Sequence, residues 1–168
     1  MEDNIIENAN FSEKVKTFIK KRKKILLLIV SLIIIIFICV IFLQNQKIKL
    51  NKLNSEKNIQ AGIYLSSKEF NKSKELYREI INSGNEFYSI LALNNIIENN
   101  LELDEDMMLE IFNEIEKQNF SKEQKNLVKL KKALFLKKHS KEKDGNDLLK
   151  EIIDDGSIWK ETATKLLK

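Results

Sequence analysis

Chemistry by side chains needs a nucleophile, a proton donor or acceptor, or a set of metal ligands at suitable spacing. This chain offers few candidates. Its one histidine, His139, lies in the basic turn Lys137-Lys138-His139-Ser140-Lys141 with no second His or Cys nearby, so it reads as a solvated turn residue. Its one cysteine, Cys39, sits in an apolar run. A lone Cys excludes an intramolecular disulfide and a thiolate zinc site, and Cys39 is a small apolar filler unless it pairs between chains. Glu102, Asp104, Glu105 and Asp106 form the densest carboxylate group. They precede a helical pattern, where acids favour the positive end of the helix dipole, and we prefer that role to calcium binding. No glycine-rich phosphate loop occurs. Asn10-Phe11-Ser12, Asn71-Lys72-Ser73 and Asn119-Phe120-Ser121 match a glycosylation acceptor. The abundance of Ile, Lys and Asn points to an AT-rich bacterial genome, in which such matches arise from composition alone. The expectation is therefore no catalytic residue, no metal site, no cofactor and no enzyme.

What remains is a surface. Leu127, Leu130 and Leu134 recur at helical spacing, with Lys131, Lys137 and Lys138 beside them. An apolar strip edged by lysines suits an extended protein segment with acidic character or a free carboxylate. The competing reading has the leucines packed against a neighbouring helix and the lysines merely solvated.

The elements that would position this surface are helices. The 168 residues include four Gly and no Pro, too few turn formers for a sandwich or barrel. Apolar residues recur at spacings of three and four over 54–67, 72–83, 86–99, 104–118, 122–138, 142–154 and 158–167. Short polar breaks between them argue for helix pairs. Within the pairs a pattern repeats. Ala61 and Tyr64 are followed by Ser73 and Tyr77; Ala133 and Leu136 are followed by Gly145 and Leu149 at the same spacing. Ala61 and Ala133 are 72 residues apart, two units of 36, and Trp159, Ala163 and Leu166 begin the pattern again. A small residue lets two helices approach, and the larger one fills the groove beside it. The pair between fits poorly: Ala92 is the only Ala or Gly on its first helix, and Met107 and Met108 stand where a small residue is wanted.

Residues 25–43 are apolar apart from Ser31, and at about 1.5 Å per residue they span roughly the hydrocarbon thickness of a bilayer. The run Ile33-Ile34-Ile35-Ile36 would suit a strand in water, but in lipid every amide needs an internal partner, so a helix is expected. A buried core helix and a cleavable signal peptide are the rivals. The exit Phe42-Leu43-Gln44-Asn45-Gln46-Lys47 lacks a small-x-small cleavage pair, so the anchor should stay attached. Lys20, Lys21, Arg22, Lys23 and Lys24 abut the entry, with Lys14 and Lys16 before them; Lys47, Lys49 and Lys52 follow the exit more sparsely. The denser cluster should stay cytoplasmic, placing the rest of the chain across the membrane. The net charge of +4 belongs mostly to residues 1–24, so the basic balance points to a membrane anchor and excludes a nucleic-acid partner. Ahead of the anchor, Asn10 is placed to cap a helix carrying Phe11, Val15, Phe18 and Ile19 on one face, either lying on anionic lipid or extending the spanning helix.

The small-and-aromatic signature resembles the tetratricopeptide repeat, a helix pair of about 34 residues. The layout as a whole is similar to the ancillary SecYEG translocon subunit of bacteria and its relatives. Residues 11–24, 61–77, 88–92 and 156–163 carry that similarity, and the larger members of that family have further repeats. The expected organisation is an all-α chain: a basic cytoplasmic segment (1–24), a transmembrane helix (25–43), a connector (44–53) and a tetratricopeptide-like α-solenoid (54–168). The resemblance implies a single-pass protein of the bacterial inner membrane with a periplasmic repeat domain. It would assist protein translocation or periplasmic folding, with translocon subunits or a membrane-bound periplasmic chaperone as partners. A structural scaffold for another inner-membrane or division complex is the alternative, and the solenoid end near Trp159 leaves self-association open as a further possibility.

Overall fold

A computed structural model describes residues 21–167. The expected helix carrying Phe11, Val15, Phe18 and Ile19, its Asn10 cap and the acceptor at Asn10 lie outside the described residues. Among the described residues every regular element is a helix: α1 (Lys23–Ser66), α2 (Phe70–Asn82), α3 (Glu86–Glu98), α4 (Glu105–Glu116), α5 (Lys122–Lys138), α6 (Glu142–Asp154) and α7 (Lys160–Leu166). From α2 onward each helix begins and ends within two residues of the sequence expectation. The expected connector is part of a longer helix. Residues 44–53 are helical and belong to α1. Nothing there stops a helix, since the stretch holds neither Gly nor Pro.

The chain divides into two compact units between Ile48 and Lys49. The first contains the apolar part of α1. Its side chains face outward, from Val40 at 46% exposed to Leu28 at 69%. This helix is long and apolar enough to cross a membrane.

The second unit is a helical domain with two clusters of buried apolar side chains. The larger includes Tyr77, Ile80, Ile81, Leu93, Ile96, Ile111, Phe112 and Ile115; the smaller gathers Leu130, Ala133, Leu149, Ile152 and Ala163. Helix α2 packs along α3 and touches α4, α4 meets α5, and α5 lies along α6, which packs on α7.

Two of the close helix approaches in the domain use the small residues of the repeated pattern. Ala61 and Ser73 are fully buried, and the Ser73 hydroxyl donates to the Ala61 carbonyl oxygen at 2.9 Å. In the second pair, a Cβ on Gly145 would meet the Ala133 carbonyl oxygen at 2.8 Å and Lys137 Cγ at 2.7 Å. The same backbone oxygen, 72 residues later, is approached by a residue with no side chain. The larger partners follow suit: Tyr77, Leu136 and Leu149 are buried, while Tyr64 is half-buried with the Lys72 ammonium 5.2 Å from its ring centre.

The 72-residue correspondence extends to features that composition does not reveal. Lys57 pairs with Glu79 at 2.8 Å, and Lys129 with Glu151 at 2.9 Å. Asn54 and Asn126 are both buried. The turn after α1 bends through Lys68 at φ 63° and that after α5 through Ser140 at φ 62°; Gly84 and Gly156 end α2 and α6 at φ 69° and 63°. Each is a left-handed residue that lets a terminal amide reach back to the last helical carbonyls, as Glu69 does to Tyr64 and Lys141 to Leu136. Successive first helices are also tied at their entrances. Asn85 donates to Asn51, the Ser121 amide to Glu86, and the Ser157 hydroxyl to Glu123, at sequence separations of 34, 35 and 34.

Two glycines make opposite predictions. Gly145→Ala drives a methyl group into a backbone oxygen and should cost about 1–3 kcal/mol, the usual penalty for overpacking. Gly62 lies within α1 with nothing within 4 Å of its would-be Cβ. Gly62→Ala should therefore stabilise by about 0.5–1 kcal/mol. Thermal unfolding of both variants, followed by circular dichroism, checks the pair of signs.

Candidate binding cavity

The middle helix pair, α3 with α4, breaks the pattern, and a cavity opens there. The loop joining the two helices of the outer pairs holds three residues, 67–69 and 139–141, whereas six, 99–104, separate α3 from α4. Met108, where a small residue is wanted, is buried in the core, and Met107 is exposed. A bulky side chain at that position replaces the small residues, Ser73 and Gly145, that permit close approach in the outer pairs. The cavity beside the end of α3, this loop and α5 measures about 330 Å³. Ligand pockets range over about 300–1,000 Å³, so this one suits a small group.

Its walls come from three places. The end of α3 supplies Asn94, Ile96, Ile97 and Glu98; the extended loop supplies Asn100, Glu102 and Leu103; and α5 supplies Lys131, Leu134, Phe135 and Lys138, with His139 just beyond. Met108 closes the base. Leu103 at 85% exposed and Leu134 at 43% remain open to solvent at the mouth. Phe135 is fixed from both sides, 5.7 Å from the Phe112 ring and stacked on His139 at 4.2 Å.

The structure brings Lys131, Leu134 and Lys138 of the expected groove to one cavity and sends the other three elsewhere. Leu130 is buried in the smaller core cluster, and Leu127 packs against the larger. Lys137 turns away to donate to Asn146 Oδ1 at 2.8 Å and to the Leu166 carbonyl at 2.7 Å, tying α5 to the end of α7. His139, expected as a solvated turn residue, is half-buried against Phe135. The four-residue spacing from Phe135, which brings side chains together on a helix, was the available signal.

The carboxylates before α4 have specific duties. Asp104 accepts from the Met107 amide at 2.9 Å and caps the helix. Glu105 pairs with Lys141. Glu102, 7% exposed, pairs with Lys74 at 3.2 Å. Among the described residues, those with metal-binding side chains form no group able to hold an ion.

Lys131 stands out electrostatically. Burial pushes its ammonium below the ordinary lysine value of 10.5, and the nearby Glu98 carboxylate opposes that shift without cancelling it. At neutral pH both folded and unfolded chains hold the proton, so folding bears the cost of desolvating a charge. As pH rises past the lowered folded value toward 10.5, the folded state releases its proton first and the cost fades. Lys131→Met keeps the stem and removes the charge. It should raise the melting temperature at neutral pH, and the gap between variant and parent should narrow as pH approaches about 10. A pH series of melting curves on both proteins measures this directly.

The chain matches no family model, no curated protein and no solved structure.

Proposed function

We propose that this chain is a membrane-anchored protein–protein interaction module of the bacterial envelope. The observation that carries the reading is the cavity at the irregular middle pair, where exposed Leu103 and Leu134 flank a partly desolvated lysine. Apolar surface left open beside a charged group is the composition of a surface that receives another chain.

The anchor is α1, whose apolar part presents greasy side chains outward along its length. The denser basic cluster at its entry, Lys20 to Lys24, favours a cytoplasmic N-terminus and a helical domain on the periplasmic side of the inner membrane. The 72-residue correspondence and the entrance ties at separations of 34 and 35 support a short tetratricopeptide-like solenoid. Taken with the resemblance of layout, this favours an ancillary translocon subunit that assists incoming envelope proteins.

Brief in-cell cross-linking, purification in mild detergent and mass spectrometry provide the test. Translocon subunits or a membrane-bound periplasmic chaperone should be recovered. A Lys131→Glu/Lys138→Glu double variant should recover at least about tenfold less, corresponding to ~1.4 kcal/mol of lost binding. Lys137 is left intact because it ties α5 to α7. Recovery of a division or other inner-membrane complex without the translocon would replace the translocation reading with a scaffolding one. Equal recovery by the double variant would remove the cavity from the binding surface.

A further inference from the structure

Along one edge of the helical domain, the Asn51 turn of α1 and the entrances of α3, α5 and α7 are laced together. Asn85 donates to Asn51, the Ser121 amide to Glu86, and the Ser157 hydroxyl to Glu123. Apolar side chains stand open to solvent on this edge: Leu53 of α1 at 47% exposed, Phe87 of α3 at 67%, and Ile158, just ahead of α7, at 74%. Next to the last two in sequence are Tyr88 and Trp159, both half-buried. The Tyr88 ring meets Phe87 edge-on at 5.0 Å, and the Trp159 ring N–H donates to the Glu123 carbonyl oxygen at 3.2 Å. The carboxylates of the lacing are turned toward the fold's own donors, since Glu123 accepts from the Ile158 amide as well as from Ser157. Lys122, at the entrance of α5, reaches back to the Asp155 carbonyl oxygen at 2.7 Å. Exposed apolar side chains beside amphipathic Tyr and Trp rings are what proteins place at the level of lipid headgroups.

Chain length decides which surface this edge meets first. Eight residues lead from Leu43, the last of the apolar segment, to Asn51. Fully extended they would reach about 28 Å, so the lacing at Asn51 stays within that distance of Leu43 however the chain runs. With α1 held in a bilayer, so short a tether keeps the edge at a high local concentration of lipid, and modest apolar contact suffices for docking. We propose that this edge docks on the bilayer in which α1 is held, with Leu53, Phe87 and Ile158 entering the headgroup layer and Tyr88 and Trp159 lying at its surface. The cavity is lined from the far ends of α3 and α5, so a docked domain keeps it open to a partner. The inference rests on the membrane-anchor part of the proposed function and adds what the opposite edge of the same domain does.

The test uses the full chain at one copy per lipid nanodisc, and Trp159, the chain's only tryptophan, is its reporter. Phosphatidylcholine carrying bromine just below the headgroup should quench Trp159 fluorescence at least about twofold more than lipid brominated near the acyl ends. The Phe87→Ser/Ile158→Ser double variant should lose at least about half of that quenching while keeping a cooperative melting transition, because it gives up two apolar side chains that enter lipid. Phe87→Leu/Ile158→Leu should restore the quenching. Quenching as strong in the serine variant as in the parent, or none in a parent stably held by the discs, would overturn the docking. Cross-links from position 87 to another polypeptide in place of quenching would give the edge to a protein partner and overturn it likewise. Two failures are told apart by incorporation. If the parent enters the discs without quenching, the anchor stands and only the docking falls; if it does not enter them at all, the anchor reading falls and the docking with it.

Discussion

The helical domain depends on how closely two helix backbones can approach at a single carbonyl oxygen. At Ala61 that oxygen is met by a serine hydroxyl, and at Ala133 by a residue with no side chain. Both solutions keep the first and second helices of a pair in contact, one by adding a hydrogen bond and the other by removing bulk. The buried aromatic and leucine residues one turn away have fixed places only because this contact sets the distance between the helices. The matching ion pairs, left-handed turns and buried asparagines follow at the same 72-residue displacement. They are consequences of repeating one local geometry, since each side chain meets an equivalent neighbour.

The functional candidate arises where that constraint is relaxed. The middle pair lacks a small residue at the approach point and carries Met108 there instead. Its helices are joined by a loop twice as long as those of the outer pairs. In a close-packed domain, a cavity beside an irregular pair must be lined by the neighbouring side chains. Here they line it with apolar walls and an ammonium group that the fold itself does not neutralise. Holding a charge out of water costs stability, and such a cost is tolerated most readily where another molecule supplies the counter-charge.

Helix α1 meets a different constraint along its length. Over 27–43 a continuous apolar surface is presented outward, which is stable in lipid and costly in water. From Lys49 onward the helix belongs to the second compact unit and shows the ordinary pattern of one buried and one solvated face, with Asn54 and Ala61 inside. No glycine or proline marks the change, so the backbone runs on while the side chains adapt to new surroundings.

Much of this was legible in residue order. Periodicity placed α2 to α7 within two residues, because a helix that buries one face must repeat its apolar residues at the helical spacing. The pairing of Ala61 with Ser73 and of Ala133 with Gly145 was legible for the same reason, since close approach demands small residues at a fixed register. Two things were not. That the connector at 44–53 runs on as one helix with the apolar segment was one, because charge and polarity alone do not end a helix. The destinations of the lysines beside Leu127, Leu130 and Leu134 were also hidden: Lys137 ties α5 to α7, whereas Lys131 faces a cavity whose opposite wall comes from α3. Sequence determines which residues share a helix face, because that depends on neighbours along the chain. Which face meets a partner helix and which meets a void depends on the distance between helices, and only the tertiary structure decides that.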